Sequence, residues 1–180
     1  MKFASWNIRG LNDPNKRFLV KDFVLRQSID VIGIQESKLC KPNARKLRSI
    51  GGNRLTHWSI LDSSESRGGI IVGWSNSFKL ISSYVGIFSV SVSLIHITSN
   101  WHFTFTNVYA PIDREDKEVC WWELNRVRKL FDGPWIICGD FNATLCLEER
   151  NGNGGSLRDI NSFRKFVSST SLIDLPLSGR

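Results

Sequence analysis

The sequence predicts an α/β (α+β) fold, and three observations carry that expectation. Short apolar runs alternate with helical patterns near both ends of the chain, as in strand–helix–strand units. The middle of the chain switches to two-residue alternation, the mark of half-buried antiparallel strands. No repeat, low-complexity tract or linker divides the 180 residues, so a single domain is expected over 1–180. These patterns fit either one mixed sheet or two packed sheets covered by helices.

Taken in order, Lys2 to Ile8 reads as a short strand. Asn12-Asp13-Pro14 opens a helix that runs to about Gln27, since proline's missing N–H costs nothing in a first turn. Phe18, Leu19, Phe23 and Val24 form its expected apolar face, with Lys16, Arg17, Lys21 and Arg26 mostly outward. Asp30 to Gln35 is an apolar run suited to a strand covered on both faces. Pro42 to Ile50 predicts a second, basic helix ended by Gly51-Gly52. Gly69 to Trp74 predicts another strand. From Phe88 to Leu94 the even positions are apolar and the odd ones serine. From Trp101 to Thr106 the odd positions are apolar. Each of these strands is expected to bury one face, with a tight turn at Ser99-Asn100 between them. Arg114 to Phe131 predicts a helix with Val119, Trp122, Val127 and Leu130 among its apolar positions, stopped by Gly133-Pro134. Trp135 to Cys138 is an expected buried strand, Asn151 to Gly155 a flexible loop, and Asp159 to about Ser169 a final helix.

Composition excludes several classes. A hydrophobic fraction of 41% with 23% charged residues is that of a globular protein, not a disordered one. No apolar run approaches the roughly 20 residues of a membrane span, so no membrane partner is expected. Met1-Lys2 leads straight into a strand pattern without an apolar signal region. Cys40, Cys120, Cys138 and Cys146 form no CxxC pair and have no histidine at ligand spacing, which argues against zinc. Free thiols in a reducing, intracellular compartment are expected, and the sequon Asn142-Ala143-Thr144 would then go unused. Net charge is +7, and six bases fall between Lys38 and Arg54 (Lys38, Lys41, Arg45, Lys46, Arg48 and Arg54) without an acid. Such a stretch is either a polyanion-binding patch or the solvated face of a basic protein.

Four strands end in polar residues that hydrophobic patterning does not require: Ser5 to Gly10, Ile34 to Lys38, Asn107 to Pro111 and Cys138 to Asn142. Active sites of α/β folds gather at strand ends. On an extended backbone Asn107 and Tyr109 share a face, and so do Asp140 and Asn142. For each pair taken alone the structural explanation is the stronger one: Gly139-Asp140 as an ordinary turn, Asn107 as an edge-strand polar group.

Together the strings WNIRGL, IQESK, NVYAP and GDFNA, in this order and spacing, resemble the endonuclease/exonuclease/phosphatase (DNase I-like) superfamily over essentially the whole chain. MKFASWNIRGLNDPNKR and PWIICGDFNA look most like the endonuclease domain of plant LINE-type (non-LTR) retrotransposon polyproteins. The resemblance implies a four-layer sandwich of two mixed sheets flanked by helices. It also implies hydrolysis of a phosphodiester with Mg²⁺ or Mn²⁺, with DNA nicking as the leading activity. Onto matching positions it places Glu36 as the main metal ligand, with Asn7 completing or orienting that site. Asp140 would activate water, while Asn142 and Tyr109 would donate to phosphate oxygens. Lys38 and, less directly, Arg114 would contact nucleic acid, and Lys41 and Arg45 lie in the adjoining basic stretch. The implied partner is DNA, with a downstream reverse-transcriptase domain in the full-length relative, no obligate protein partner, and a nuclear location.

The family's late Ser-Asp-His motif has no counterpart after GDFNA. His96 and His102 read as ordinary strand positions and His57 as a loop residue beside Trp58. The chain is therefore expected to be C-terminally truncated, lacking its last strands, and weak or inactive in this form. A non-catalytic nucleic-acid-binding remnant and a phosphoinositide or small-phosphoester phosphatase are the alternatives.

Overall fold

The computed structural model describes residues 1–64, 68–146 and 156–175; the expected loop at Asn151 to Gly155 lies outside them. Twelve elements follow in order: β1 Phe3–Asn7, α1 Pro14–Gln27, β2 Val31–Gln35, α2 Ala44–Gly51, β3 Leu55–Leu61, β4 Ile70–Ser75, β5 Phe78–Val85, β6 Ser89–His96, β7 His102–Tyr109, α3 Arg114–Leu130, β8 Trp135–Asp140 and α4 Leu157–Ser169.

These strands form two four-stranded sheets, ordered β1-β2-β4-β3 and β5-β6-β7-β8. Only β1/β2 and β7/β8 are parallel, and each is joined through a helix, α1 or α3. A parallel pair needs such a crossover, whereas antiparallel neighbours close with short turns. The two sheets pack face to face through Val31, Val72, Trp74, Val90, Val92, Phe103 and Phe105. α1 and α2 cover the outer face of the first sheet over Ile32, Ile34 and Ile71. α3 and α4 cover the outer face of the second through Trp121, Leu124, Phe163 and Phe166. The result is the four-layer sandwich of two mixed sheets that the sequence suggested.

Local chemistry sets the helix starts. Asp13, Asn43 and Asp113 each sit in extended backbone, and each side chain accepts from a backbone N–H of the following first turn. Those donors have no partner inside the helix. Glu115 and Asp116 add negative charge where the helix dipole favours it.

Several sequence expectations are corrected. β3 and β5 were not anticipated, and His57 lies in β3, not in a loop. β5 is an edge strand with mostly exposed residues and an irregular register between Leu80 and Ser82, so it has no clean alternation to read. In α1 the buried residues are Val20 and Val24, while Phe18 and Leu19 are exposed. In α3 the buried residues include Cys120, Trp121 and Leu124, while Val119, Trp122 and Leu130 are exposed. Lys16 and Arg17 do not simply face solvent: they donate to the carbonyls of Ile8, Arg9, Leu11 and Asn12. The serines of β6 are buried as well as its valines, because a sheet or a helix covers each face of this central strand. Ser91 meets Thr106 at 2.9 Å, which satisfies both hydroxyls. β8 is half-buried instead of buried, as befits a strand that ends its sheet among the described residues.

One buried charge ties α3 to the sheet. Glu123 is 4% exposed and accepts from Ile87 N (2.7 Å), Phe88 N (3.3 Å) and Ser89 Oγ (2.5 Å). Removing the carboxylate leaves those donors unpaired in the interior. We expect Glu123→Ala to lower stability by about 3 kcal/mol in chemical denaturation; a loss under about 0.5 kcal/mol, the usual scale of a surface change, would contradict this role.

Candidate active site

The C-terminal ends of β1, β2, β7 and β8 converge on one end of the sandwich. Asn7, the last residue of β1, joins two carboxylates: its Nδ2 donates to Glu36 Oε1 at 2.9 Å and to Asp140 Oδ2 at 2.8 Å. Glu36 follows β2 in the first sheet, and Asp140 ends β8 in the second. The Tyr109 hydroxyl, at the end of β7, lies beside Glu36. Two acids, an amide and a phenol separated by up to 133 positions thus meet across the gap between the sheets.

Tightly held loops carry these groups. Gly10 N and Leu11 N donate to Glu36 O and Ser37 O, both at 2.7 Å, and Asn12 Nδ2 donates to Lys38 O at 2.8 Å. Ser37 N and Lys38 N in turn donate to Gly69 O and Gly68 O. Arg9, Glu36, Lys38 and Asn142 all have left-handed backbone, with φ of 51°, 51°, 53° and 45°. Non-glycine residues pay on the order of 1–3 kcal/mol for such conformations, which persist where surrounding bonds over-determine them. Gly139 has φ 141°, and a Cβ there would lie 2.0 Å from Val108 O. Only glycine lets β8 run this close to β7 just before Asp140.

The electrostatics are those of a partly desolvated acidic cluster. Burial pushes the Tyr109 phenol above its ordinary value of 10.0, and the charges of Glu36 and Asp140 push the same way, while Arg9 opposes them. Asp140 Oδ1 accepts from Asn142 N at 3.1 Å, so both carboxylate oxygens have fixed donors. Asn7 Oδ1 is buried and has no hydrogen-bond partner among the described residues. That orphaned oxygen, beside Glu36, is a hard donor of the kind a divalent cation takes. No group of three His, Cys, Asp or Glu gathers among the described residues, so the oxygen set rests on Glu36, Asn7 and Asp140.

The sequence-derived site residues fare differently. Asn7, Glu36, Tyr109 and Asp140 come together at this end of the sandwich. Asn142 is not extended beside Asp140: its left-handed backbone turns the chain, and its Nδ2 donates to Ala110 O at 2.8 Å. Arg114 does not reach toward the cluster. Its Nε pairs with Asp159 at 3.2 Å and its guanidinium bonds Ser156 Oγ, which pins α4 to α3. Lys38 and Lys41 are exposed on the loop after Glu36, and Arg45 is exposed in the first turn of α2. Arg54 of the basic stretch is instead engaged by Asp30 at 2.6 Å. All three histidines lie at the other end of the sandwich. His57 pairs with Trp74, and His96 and His102 flank the β6–β7 turn. Sequence reasoning passed over Arg9, although it stands two residues after Asn7 in the first motif.

Strand-end carboxylates over a four-layer α/β sandwich define a DNase I-like hydrolase fold. Residues 4–160 match the Endonuclease/Exonuclease/phosphatase family, and the chain belongs to that family. Solved structures agree. The APE2 catalytic domain of Xenopus laevis superposes with a TM-score of 0.67 at 18% identity, covering 94% of this chain and 67% of that one. A mannosyl-6-phosphatase of Bacteroides thetaiotaomicron gives 0.65 at 16%, covering 93% and 70%. The human Nocturnin catalytic domain with bound sulfate gives 0.61 at 18%, covering 91% and 67%.

Tyr84 and Tyr109 are the only tyrosines, so Tyr84→Phe isolates the phenol at the site. In that background we expect ultraviolet titration to show Tyr109 ionising above pH 10.0, and Glu36→Gln to lower the midpoint. The folded state holds this proton more tightly than the unfolded chain does. Its contribution to stability is therefore complete below the ordinary phenol value and lost as pH rises through the folded one. A midpoint at or below 10.0 would refute the described packing.

Proposed function

We propose that the chain is a divalent-metal-dependent phosphodiesterase whose preferred substrate is DNA, cut by nicking. The observation that carries this reading is Asn7 joining Glu36 to Asp140 with the Tyr109 hydroxyl alongside. Glu36 and the orphaned Asn7 Oδ1 would hold Mg²⁺ or Mn²⁺, which when bound neutralises charge on the phosphate and the leaving oxygen. The rest falls to the chain's own groups. Asp140, oriented by Asn7 and by the backbone of Asn142, accepts a proton from the attacking water. Tyr109 stays protonated at neutral pH and so remains a donor to phosphate oxygen as negative charge builds. Asn142 keeps one amide hydrogen after bonding Ala110 O, and it can serve the same end.

Nucleic acid is favoured over a small phosphoester by the +7 charge and by the exposed cations Arg9, Lys38, Lys41 and Arg45 near the first sheet's loops and helix. The motif strings that resemble LINE-type polyproteins support a retrotransposon endonuclease as the particular kind. In supercoiled-plasmid nicking with Mg²⁺, we expect Asp140→Ala to lower the rate by roughly 10²-fold or more. Nicking unchanged by that substitution would sink the assignment. Phosphate release from inositol lipids or sugar phosphates in place of nicking would shift it to the phosphatase reading. We also expect each of Lys38→Ala and Lys41→Ala to reduce the salt slope of DNA binding by about 1.

A further inference from the structure

A second polar layer lies directly beneath the acidic cluster, and the chemistry above does not use it. Asn107 is fully buried between the sheets, where a polar side chain is costly unless every group is paired. Its Nδ2 donates to Ile34 O and Ile71 O, both at 3.1 Å, on β2 and β4 of the opposite sheet. Its Oδ1 accepts from Gln35 Nε2, which also donates to Ser5 Oγ at 3.0 Å. Ser5 in turn lies near the Cys138 thiol, whose ionisation burial pushes up to about 12.

The layer thus ties β7 to β2 and β1, and Cys138 of β8 lies in register beside Asn107; these are the four strands that carry the acidic cluster. The sequence offsets explain the stacking. Ser5, Asn107 and Cys138 each precede a cluster residue (Asn7, Tyr109 and Asp140) by two positions, on the same strand face, and Gln35 immediately precedes Glu36. In register, Asn7 pairs with Gln35, and Asn107 with Cys138. The strand opposite has been cleared for the bridge: a Cβ on Gly33 would lie 2.6 Å from Asn107 Cγ. An apolar pair could fill this space, yet it could not set a hydrogen-bonding distance between the sheets.

We propose that Asn107 and Gln35 are positioning residues, whose bridge fixes the gap between the sheets at the spacing that lets Asn7 of the first sheet reach Asp140 of the second. The proposal builds on the phosphodiesterase reading but is tested separately from it. Asn107→Leu keeps volume and removes every hydrogen bond that Asn107 makes across the gap. Gln35→Met, which removes the Gln35 arm and leaves Asn107 its two carbonyl partners, is a milder second variant should Asn107→Leu fail to melt cooperatively.

In crystal structures of the bridge variants, the 2.8 Å contact of Asn7 Nδ2 with Asp140 Oδ2 across the gap is expected to lengthen beyond hydrogen-bond reach. Turnover in nicking should drop roughly tenfold to a hundredfold while KM stays nearly constant, as for a reacting group displaced by a fraction of an ångström to one ångström. A variant that loses thermal stability yet keeps both that contact and turnover overturns the proposal, since the bridge would then be structural alone. If the parent chain nicks nothing, the contact decides by itself: a lengthened one supports positioning and an unmoved one refutes it.

Discussion

Everything in this protein depends on two sheets that can be buried only against each other. Val31, Val72, Val90, Val92, Phe103 and Phe105 are each fully buried at the sheet–sheet interface, where each sheet covers the inner face of the other. Burial of such apolar area is the dominant favourable term in folding. Phe3 adds an edge-on contact to Phe103, with ring centroids 5.3 Å apart, which brings β1 over the second sheet. Once the inner faces are closed, the helices have one place each to go, and the four layers follow.

The same closure builds the site, because each sheet carries half of it. Asn7 ends β1 and Glu36 follows β2 in the first sheet, while Tyr109 ends β7 and Asp140 ends β8 in the second. Along the sandwich the interface passes from aromatic and aliphatic residues to Ser5, Gln35 and Asn107, and then to the carboxylates. Polarity rises toward the open end, and hydrogen bonds replace dispersion as the element that sets spacing. Strain accumulates there too: Arg9, Glu36, Lys38 and Asn142 hold left-handed backbone only because neighbouring carbonyls and amides leave the loops no alternative. The stable, low-strain middle of the sandwich supports a costly but accurately placed end.

Much of the fold was legible. The start of α1 could be read at Asn12-Asp13-Pro14, since capping is local chemistry. β2 could be read because an unbroken apolar run fits a strand buried on both faces. Helix faces were less readable. Phe18 and Trp122 are large and apolar at suitable spacings, yet they are 66% and 64% exposed, because the docking angle of a helix is set by what lies beneath it. β5 escaped notice since an edge strand need not alternate, and the buried serines of β6 were misjudged because α3 covers their face. At the site, Asn7, Glu36, Tyr109 and Asp140 were legible as polar interruptions at strand ends. The fate of Arg114 was not, since its partner Asp159 sits on a helix 45 residues later in the chain.

The sequence by itself determined which residues could do chemistry, where most strands and helices lie, and the basic character that suits a polyanion. These are properties of composition, periodicity and local capping. Tertiary structure alone decided that Asn7 holds two carboxylates from different sheets and that Asn107 is a bridge between them, not an edge group. It also decided that the histidines stand at the end opposite the site. Those outcomes depend on pairing register and on the sheet-to-sheet gap, which arise from long-range packing and which no local pattern encodes.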